Sequence, residues 1–387
     1  MRILHTSDWH LGKTLEGHSR LPEQEDFLEE LVGIVDQADV HAIVVAGDVY
    51  DTVNPPARAE ELFYWALERL AASGRRPVVV LAGNHDNPDR LRASRPLAEP
   101  QNIFLYGLPS ESTQPVRIPI PLADHDLSLA VLPYPSEQRL NALLGSVLDE
   151  ENLQQAYAER IQELWQYMDR HWHAGCVRMA ASHIYMAGGE EAGVERPIQV
   201  GGAYTVPRFA VPEGAQYLAL GHLHRSQNVR NCPVTARYSG SPLCYGFAEA
   251  QQTKSVTIVD VDLDGEPRLE YVSLNSGKPL VRWQAGSLAE LKEWSSAKRD
   301  PNAWVDVEVT VSEALTHSEL QQIRRAHPGI LHIRPLFSEQ DYNESTVEWE
   351  TLSLEEHFMR FYVREQGVEP SVDLRRLFLE LAGGQEG

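Results

Sequence analysis

The chain has 387 residues, of which 42% are hydrophobic and 23% are charged. This composition is typical of a globular protein with a buried core, and the length allows two or three domains. Its 34 Lys and Arg against 56 Asp and Glu give a net charge of -22, which argues against a protein that holds nucleic acid through its own basic surface. Either the substrate is not a nucleic acid, or metal ions and a partner supply the missing positive charge.

The sequence contains neither a membrane span nor a disulfide framework. No stretch approaches 18 consecutive apolar residues, and Met1 leads directly into the first strand without a signal-peptide pattern. We therefore expect the protein to stay in the cytoplasm, where it is made. Cys176, Cys232 and Cys244 show no C-x-x-C spacing, which fits a reducing compartment and argues against a zinc–thiolate site.

Strands and helices alternate over the first ninety residues. Apolar runs in "MRILHTS", "HAIVVAGDVYD" and "RPVVVLAGNHD" predict buried strands, and the segments between them have helical periodicity. We expect Gly74 to end the second helix. Strand, helix, strand, helix, strand predicts a parallel sheet with right-handed crossovers. The apolar helix faces are predicted to be Phe27, Leu28, Leu31, Val32 and Val35, then Leu62, Phe63, Ala66, Leu67 and Leu70.

Polar side chains follow five predicted strands at the point where each strand ends. Each group alone has an ordinary explanation as a turn, a helix cap or a buried histidine that is hydrogen-bonded. Together they indicate a site, because open α/β sheets bind ligands beyond the carboxyl ends of their strands. The five groups are Asp8 with His10, Asp48 with Asp51, Asn84 with His85, His183, and His222 with His224.

The rest of the chain predicts a second sheet and two further regions. The segments "LSLAVLPYP", "ARYSGSP", "KSVTIVDVDLDGE" and "RLEYVSL" alternate like strands joined by tight turns, so we expect a second, more antiparallel sheet packed on the first. The region that contains both sheets is expected to span 1–275, followed by the linker "NSGKP". A small α+β accessory domain is predicted over 280–337. After the polar linker "SEQDYNEST", a helical tail is predicted over 345–387.

The residue types at the strand exits indicate which metals they bind. Carboxylates, imidazoles and one amide without thiolates favour manganese, iron or zinc over magnesium or calcium. There are too many ligands for one ion, and two ions about 3.5–4 Å apart can activate water and clamp a phosphoryl group. The predicted ligands are Asp8, His10 and His224 for one ion, Asn84, His183 and His222 for the other, and Asp48 as the bridge.

These motifs resemble a known superfamily. D-x-H, G-D-x-x-D, G-N-H-D, a lone His and G-H-x-H, in this order, are similar to those of the calcineurin-like metallophosphoesterases. The longer matches "MRILHTSDWHLG", "VVAGDVYDTVNPP", "VVLAGNHD", "LALGHLHR" and "YSGSP" resemble its bacterial SbcD nuclease subunits. The resemblance covers Met1 to about Leu274 well and the remainder loosely. It implies an α/β two-sheet sandwich flanked by helices, with a small capping domain and a C-terminal helical tail.

The resemblance also implies an activity. It suggests a manganese-dependent DNA nuclease with 3′→5′ exonuclease action on double-stranded ends and endonuclease action on single strands and hairpins, serving recombination, replication and repair at the nucleoid. Activity would be gated by ATP hydrolysis in an SbcC-like SMC-type ATPase, and two nuclease subunits would form a homodimer within a heterotetramer. His85 would stabilise or protonate the leaving oxygen. Some relatives have a His where this chain has Asp51, so we assign Asp51 to orienting a metal ligand.

Two alternatives remain open from the sequence, along with a prediction for the tail. The same metal site could serve a small-molecule phosphatase or cyclic-nucleotide phosphodiesterase, which the acidic charge favours, or it could be vestigial in a scaffold protein. The accessory domain and the amphipathic tail favour the nuclease. We expect the tail to dock on the ATPase, since short helices with large apolar faces are marginal alone in water. Its predicted docking residues are Leu354, Phe358, Phe361, Leu374, Leu377, Phe378 and Leu381.

Overall fold

The computed structural model describes residues 1–111, 113–136, 150–193, 205–337 and 353–383. The chain divides into two compact units, Met1–Gly277 and Lys278–Gly387. The boundary between them falls inside the predicted linker "NSGKP". The second predicted linker, "SEQDYNEST", lies outside the described residues. The accessory segment and the tail belong to the same unit by this division, and their status as separate domains stays a prediction.

The first sheet of the first unit contains the three strands expected from the first ninety residues. Its order is β14-β13-β1-β4-β5-β6, in which β1, β4, β5 and β6 are parallel neighbours. The strands β13 and β14 form a hairpin that joins β1 antiparallel. The bounds of these strands are β1 (Arg2–Thr6), β4 (Ala42–Ala46), β5 (Val78–Leu81), β6 (Ile103–Tyr106), β13 (Ser255–Asp260) and β14 (Arg268–Ser273), and a small hairpin is formed by β2 (Thr14–Leu15) and β3 (His18–Ser19).

The second sheet differs from the expectation of a more antiparallel one. Its order is β11-β12-β10-β9-β8-β7, and β12, β10, β9 and β8 are parallel, so only the edge strands run antiparallel. The prediction was wrong because the hairpin "KSVTIVDVDLDGE" and "RLEYVSL" belongs to the first sheet. The bounds are β7 (Val116–Ile118), β8 (Leu127–Leu132), β9 (Val177–His183), β10 (Tyr217–Gly221), β11 (Gln227–Asn228) and β12 (Thr235–Tyr238).

Helices cover the outer face of each sheet, which gives four layers. The first sheet packs against α1 (Leu21–Gln37) and α2 (Ala57–Ala71), and the second against α5 (Glu150–Asp169). Successive strand residues point to opposite faces. Ile43 and Val45 therefore face the helices, while Ala42 and Val44 face the second sheet. The short helices α3 (Pro88–Arg92) and α4 (Arg95–Ala98) follow β5.

The helix α2 ends earlier than the glycine signal predicts. Its last residue is Ala71, and both Ala72 and Ser73 adopt positive φ angles of +47° and +58° before Gly74 is reached. The left-handed turn therefore begins on an alanine, whose methyl side chain carries only a modest steric penalty in that conformation. The predicted apolar face is otherwise observed, since Leu62, Phe63 and their helical neighbours are buried.

The second unit has the alternating order predicted for the accessory segment. Its three strands are parallel in the order β15-β16-β17, with a core that includes Trp283, Val307 and Ile323. Two helices follow in the tail, and Ser353 caps the first through a capping box with Glu356. The bounds are β15 (Leu280–Ala285), α6 (Leu288–Ser296), β16 (Trp304–Val311), α7 (His317–Ala326), β17 (Ile330–Phe337), α8 (Leu354–Gln366) and α9 (Val372–Gly383).

The described part of the chain contains no helix long and apolar enough to cross a membrane.

Candidate metal centre

The loop after β1 brings Asp8 and His10 to the site by burying the residue between them. Trp9 is fully buried, donates from Nε1 to Thr6 Oγ1 at 3.0 Å and packs edge-on against Phe27. Asp8 and His10 both have positive φ angles, +54° and +47°, so their side chains turn away from that core. Their backbone N–H groups donate to the carbonyls of Gly47 and Asp48 at 2.9 and 3.0 Å. The first loop is thereby joined to the exit of β4.

A glutamine that the sequence analysis did not single out holds the same loop. Gln24 lies fully buried on α1, accepts from the N–H of Gly12 at 2.9 Å and donates to the carbonyl of His10 at 2.7 Å. Such a clamp fixes the backbone of a candidate ligand. Its only signal in the sequence was a polar residue placed near the apolar face of the first helix.

Asp48 lies at the centre of the cluster. Its Oδ2 is 3.4 Å from His183 Nε2, 3.6 Å from His10 Nε2 and 3.9 Å from His85 Nε2, while Oδ1 accepts from the N–H of His85 at 2.9 Å. Burial by itself would raise the pKa of this carboxyl, but the surrounding imidazoles hold its pKa well below the usual range. Asp48 is therefore an anionic centre shared by residues from four strand exits.

The strand exits approach so closely that several of them require glycine, Gly83 and Gly221 among them. A Cβ on Gly83 would lie 2.7 Å from Cγ of Asp48, and one on Gly221 would lie 2.8 Å from His183 Nδ1 and 2.9 Å from the carbonyl carbon of Ala46. Real Cβ atoms essentially never approach other atoms within 3.0 Å. The glycines of G-N-H-D and G-H-x-H therefore let the strand ends pack side by side.

One group of predicted ligands meets around the amide of Asn84. Its Oδ1 lies 2.9 Å from His183 Nε2 and 3.0 Å from His222 Nδ1. His183 donates from Nδ1 to the carbonyl of Ala46 at 2.9 Å, so its Nε2 faces Asn84 and Asp48. Burial by itself would lower the pKa of His183, but the Asp48 carboxylate raises it to about 9, so a metal bound at Nε2 would displace a proton. Burial lowers the pKa of His222 to about 3, so that imidazole is neutral and able to bind a metal near pH 7.

The other group meets between His10 and His224, whose Nε2 atoms are 3.0 Å apart. Asp8 lies beside them, accepts from Ser7 Oγ at 2.5 Å and from the N–H of His222 at 3.0 Å, and burial raises its pKa to about 6. Burial lowers the pKa of His10 to about 3, so this ring is also neutral. His224 donates from Nδ1 to a carboxylate oxygen of Glu249 at 2.9 Å.

His85 and Asp51 border the cluster. His85 donates from Nδ1 to the backbone carbonyl of Asp51 at 2.6 Å, so its Nε2 faces Asp48. The Asp51 carboxylate lies 2.7 Å from Lys13 Nζ and 3.4 Å from His10 Nδ1. Burial would raise the pKa of Asp51, but His10 and Lys13 lower it below its usual value. This anion thus faces the ring nitrogen of His10 that points away from His224.

Asp86 is a second residue to which the sequence analysis gave no role. It is buried, and its two oxygens accept from the N–H groups of Val49, Tyr50 and Gly83 at 3.1, 2.9 and 2.8 Å. These bonds tie the turn after β4 to the turn after β5. The sequence offered a signal for a role of Asp86, because it is the last residue of the G-N-H-D motif.

The donor set fits two first-row metal ions. Two ligands about 2.1 Å from one ion and at right angles are about 3.0 Å apart, which is the spacing found around Asn84 and between His10 and His224. These nitrogen and oxygen atoms converge in a buried region, where carboxylate charges and nitrogen lone pairs without a bound cation would raise the free energy of the folded state. The arrangement therefore suits a dinuclear metal site.

Known proteins match this chain over its whole length. The family model described as calcineurin-like phosphoesterase matches residues 1–226, and the one described as type 5 capsule protein repressor C-terminal domain matches residues 276–366. The SbcD subunit of nuclease SbcCD from Bacillus subtilis is 50% identical, covering 100% of this chain and 99% of the relative. The proteins of the same name from Rhodobacter capsulatus and Escherichia coli are 34% and 29% identical, covering 76% and 95% of this chain and 74% and 94% of their own lengths.

The identities confirm the resemblance seen in the motifs and do not favour a small-molecule phosphatase. The mixed α/β fold likewise confirms the predicted fold class. The chain belongs to the calcineurin-like phosphoesterases and, within them, to the family of SbcD nuclease subunits.

Proposed function

We propose that this protein is the nuclease subunit of an SbcCD-type complex and hydrolyses phosphodiester bonds of DNA with two metal ions. The observation that carries the proposal is the convergence of side chains from four strand exits around Asp48, with the two histidines of the fifth exit against Asn84 and His10. A single turn or cap would not require such convergence. The 50% identity to a nuclease subunit over the whole chain supports DNA as the substrate.

The residues divide into two ligand sets that share one carboxylate. Asp48 would be shared by both sets, because its Oδ2 lies 3.6 Å from His10 Nε2 and 3.4 Å from His183 Nε2. Manganese is the proposed metal, with iron or zinc as the other candidates for such a nitrogen and oxygen donor set. One ion is assigned to Asp8, His10 and His224, and the other to Asn84, His183 and His222.

The protein side chains position and protonate the substrate around these ions. When bound, the two ions supply Lewis-acid activation of water and neutralise the charge of the phosphoryl group. His85 stands beside the cluster with Nδ1 engaged by the carbonyl of Asp51, so its Nε2 is oriented to give a proton to the leaving oxygen as the P–O bond breaks. The carboxylate of Asp51 orients His10 and is itself held by Lys13.

The finer activity follows from the family resemblance. We infer 3′→5′ exonuclease action on duplex ends and endonuclease action on single strands and hairpins, serving DNA recombination, replication and repair at the cytoplasmic nucleoid. The net charge of -22 predicts weak DNA affinity for the chain alone. An SbcC-like ATPase partner therefore has to supply most of the DNA binding, with ATP hydrolysis controlling access to the site.

The tail is the proposed docking element for the ATPase. Phe358 of α8 and Phe378 of α9 stack with ring centroids 3.9 Å apart, which joins the two helices. The turn between them is anchored on its own unit, since Gly367 accepts from the N–H of Leu315 at 2.8 Å. Four of the predicted docking residues nonetheless remain exposed, and an exposed apolar surface of this kind marks a protein interface. These residues are Leu354, Phe361, Leu377 and Leu381.

A second copy of the chain is proposed to bind at an apolar groove beside α2 and α4. The groove has a volume of about 410 Å³ and is lined by Tyr64, Leu67, Leu97 and Ile103 among others. Leu97 is 81% exposed and Tyr64 41% exposed. A two-fold dimer pairs one surface with itself, so a ridge and a groove on the same face can fill each other. This face is the proposed homodimer interface within the heterotetramer.

One experiment tests the proposed function directly. Linear duplex DNA is digested with Mn²⁺, with and without the ATPase partner and ATP, beside a generic small phosphodiester. We expect Mn²⁺-dependent cleavage of the small phosphodiester by the chain alone, and strong stimulation of duplex digestion by the partner with ATP. Hydrolysis of small phosphodiesters without any DNA cleavage under any of these conditions would contradict the nuclease assignment.

A further inference from the structure

A buried ion pair lies directly behind His224. Glu249 is fully buried, and one of its oxygens accepts from His224 Nδ1 at 2.9 Å. Its other oxygen lies 2.9 Å from Lys254 Nζ and accepts from the N–H of Tyr245 at 2.9 Å. Both carboxylate oxygens are therefore used, one for the histidine and one for the groups that hold the carboxylate in place.

Lys254 is also bonded to the backbone that carries His224. It is 8% exposed, and its Nζ donates to the carbonyl of His224 at 3.1 Å and to Ser241 Oγ at 2.9 Å. Burying an ammonium and a carboxylate is costly unless both are paired and hydrogen-bonded, as they are here. The ammonium thus fixes both the main chain of the histidine and the anion behind its ring.

The anion distinguishes His224 from the histidine on the other side of Asp48. His183 donates from Nδ1 to a neutral carbonyl, that of Ala46. The two rings that lie with Asp8 instead face carboxylates: His224 faces Glu249, and His10 faces Asp51. A carboxylate behind a ligating imidazole fixes its tautomer and increases its basicity, whereas a carbonyl does so less.

We propose that Glu249, held by Lys254, is a positioning residue that strengthens the bond of His224 to the ion on the Asp8 and His10 side. This inference rests on the two-metal site of the proposed function. The two sites should therefore respond differently to loss of the Glu249 charge. The affinity for the ion held by Asp8, His10 and His224 should fall, while the affinity for the ion held by Asn84, His183 and His222 should stay unchanged.

The test compares Mn²⁺ binding by full-length variants stripped of metal and then titrated with Mn²⁺ alone. The main variant is Glu249→Gln with Lys254→Met, which replaces the ion pair by neutral side chains of similar size and leaves no buried unpaired charge. Glu249→Gln alone is the second variant. Asp306→Asn is the control, because Asp306 is a buried carboxylate of the second unit that is paired with Arg334. Thermal melting shows which variants fold.

We expect two Mn²⁺ in the wild type and the control. In the double variant, one of the two affinities should fall by about 10–100-fold, the usual effect of losing such a partner, while the other stays within about twofold of the wild type. Wild-type affinity at both sites in either folded variant would overturn the proposal, and so would loss of the fold in both, since the pair would then be purely structural.

Failure of the inference and failure of the proposed function give different results. A wild-type chain that binds two Mn²⁺ but cuts no DNA, even with the ATPase partner and ATP, refutes the function, and the variant comparison still decides the role of Glu249. A wild-type chain that binds fewer than two Mn²⁺ overturns both.

Discussion

Replacing Gly83 by alanine tests whether close packing of the strand exits sets the geometry of the site. Gly83 follows β5, and a Cβ there would lie 2.7 Å from Cγ of Asp48 and closer still to its Oδ1 and its backbone nitrogen. The backbone nitrogen of Asp48 cannot rotate away from this Cβ as the end of a flexible side chain could. Asp48 or the Asn84 turn must therefore move by roughly 1 Å, the shift that typically costs about 10²-fold in rate when it displaces reacting groups.

The same substitution overpacks a filled region, so we expect Gly83→Ala to lower the free energy of unfolding by about 1–3 kcal/mol. Activity is measured as Mn²⁺-dependent cleavage of a small phosphodiester, bound Mn²⁺ is counted per chain, and stability is followed by thermal melting. Gly33→Ala is the matched control, because a Cβ on Gly33 in α1 meets nothing within 4 Å. It should keep full activity and gain up to about 1 kcal/mol from helix propensity. Wild-type turnover and two bound ions in Gly83→Ala would refute the packing argument.

Four other substitutions or deletions test the remaining assignments. Asp48→Asn removes the anion that lies among three imidazoles, so hydrolysis should be abolished and bound Mn²⁺ should fall; unchanged activity with two ions would exclude a bridging role. His85→Leu should keep both ions while turnover falls by about 10²–10⁴-fold, whereas a parallel collapse of metal content would identify His85 as a ligand. Deleting the residues after Gln340 should leave Mn²⁺-dependent cleavage of a small phosphodiester nearly intact and abolish both co-purification with the ATPase and ATP-stimulated digestion of duplex DNA; pull-down at full yield would count against the tail. Leu97→Glu should convert a dimer to a monomer in light scattering without changing cleavage of a small phosphodiester per chain, and a surviving dimer would place the interface elsewhere.

Much of the site could be predicted because its residues follow strands whose signals are local. The apolar runs before Asp8, Asp48 and Asn84 are buried strands, and their helices have the expected apolar faces. Parallel strands joined by right-handed crossovers end at the same edge of a sheet. The order of the motifs along the chain was therefore enough to predict that these side chains would meet, and what kind of metal chemistry they suit.

Pairing between distant segments was decided only by the tertiary structure. The segments of β13 and β14 have an alternating strand pattern like that of other predicted strands, so periodicity could not show that the hairpin pairs with β1. The carboxylate behind His224 comes from Glu249, 25 residues further along the chain, and Asp86 reaches back to Val49 and Tyr50. An alternating pattern specifies which face of a strand is buried but not which neighbour covers it. The sequence by itself thus determined most of the elements, the side-chain types that meet at the strand exits and the family, whereas the folded chain decided which groups hold each of these side chains in place.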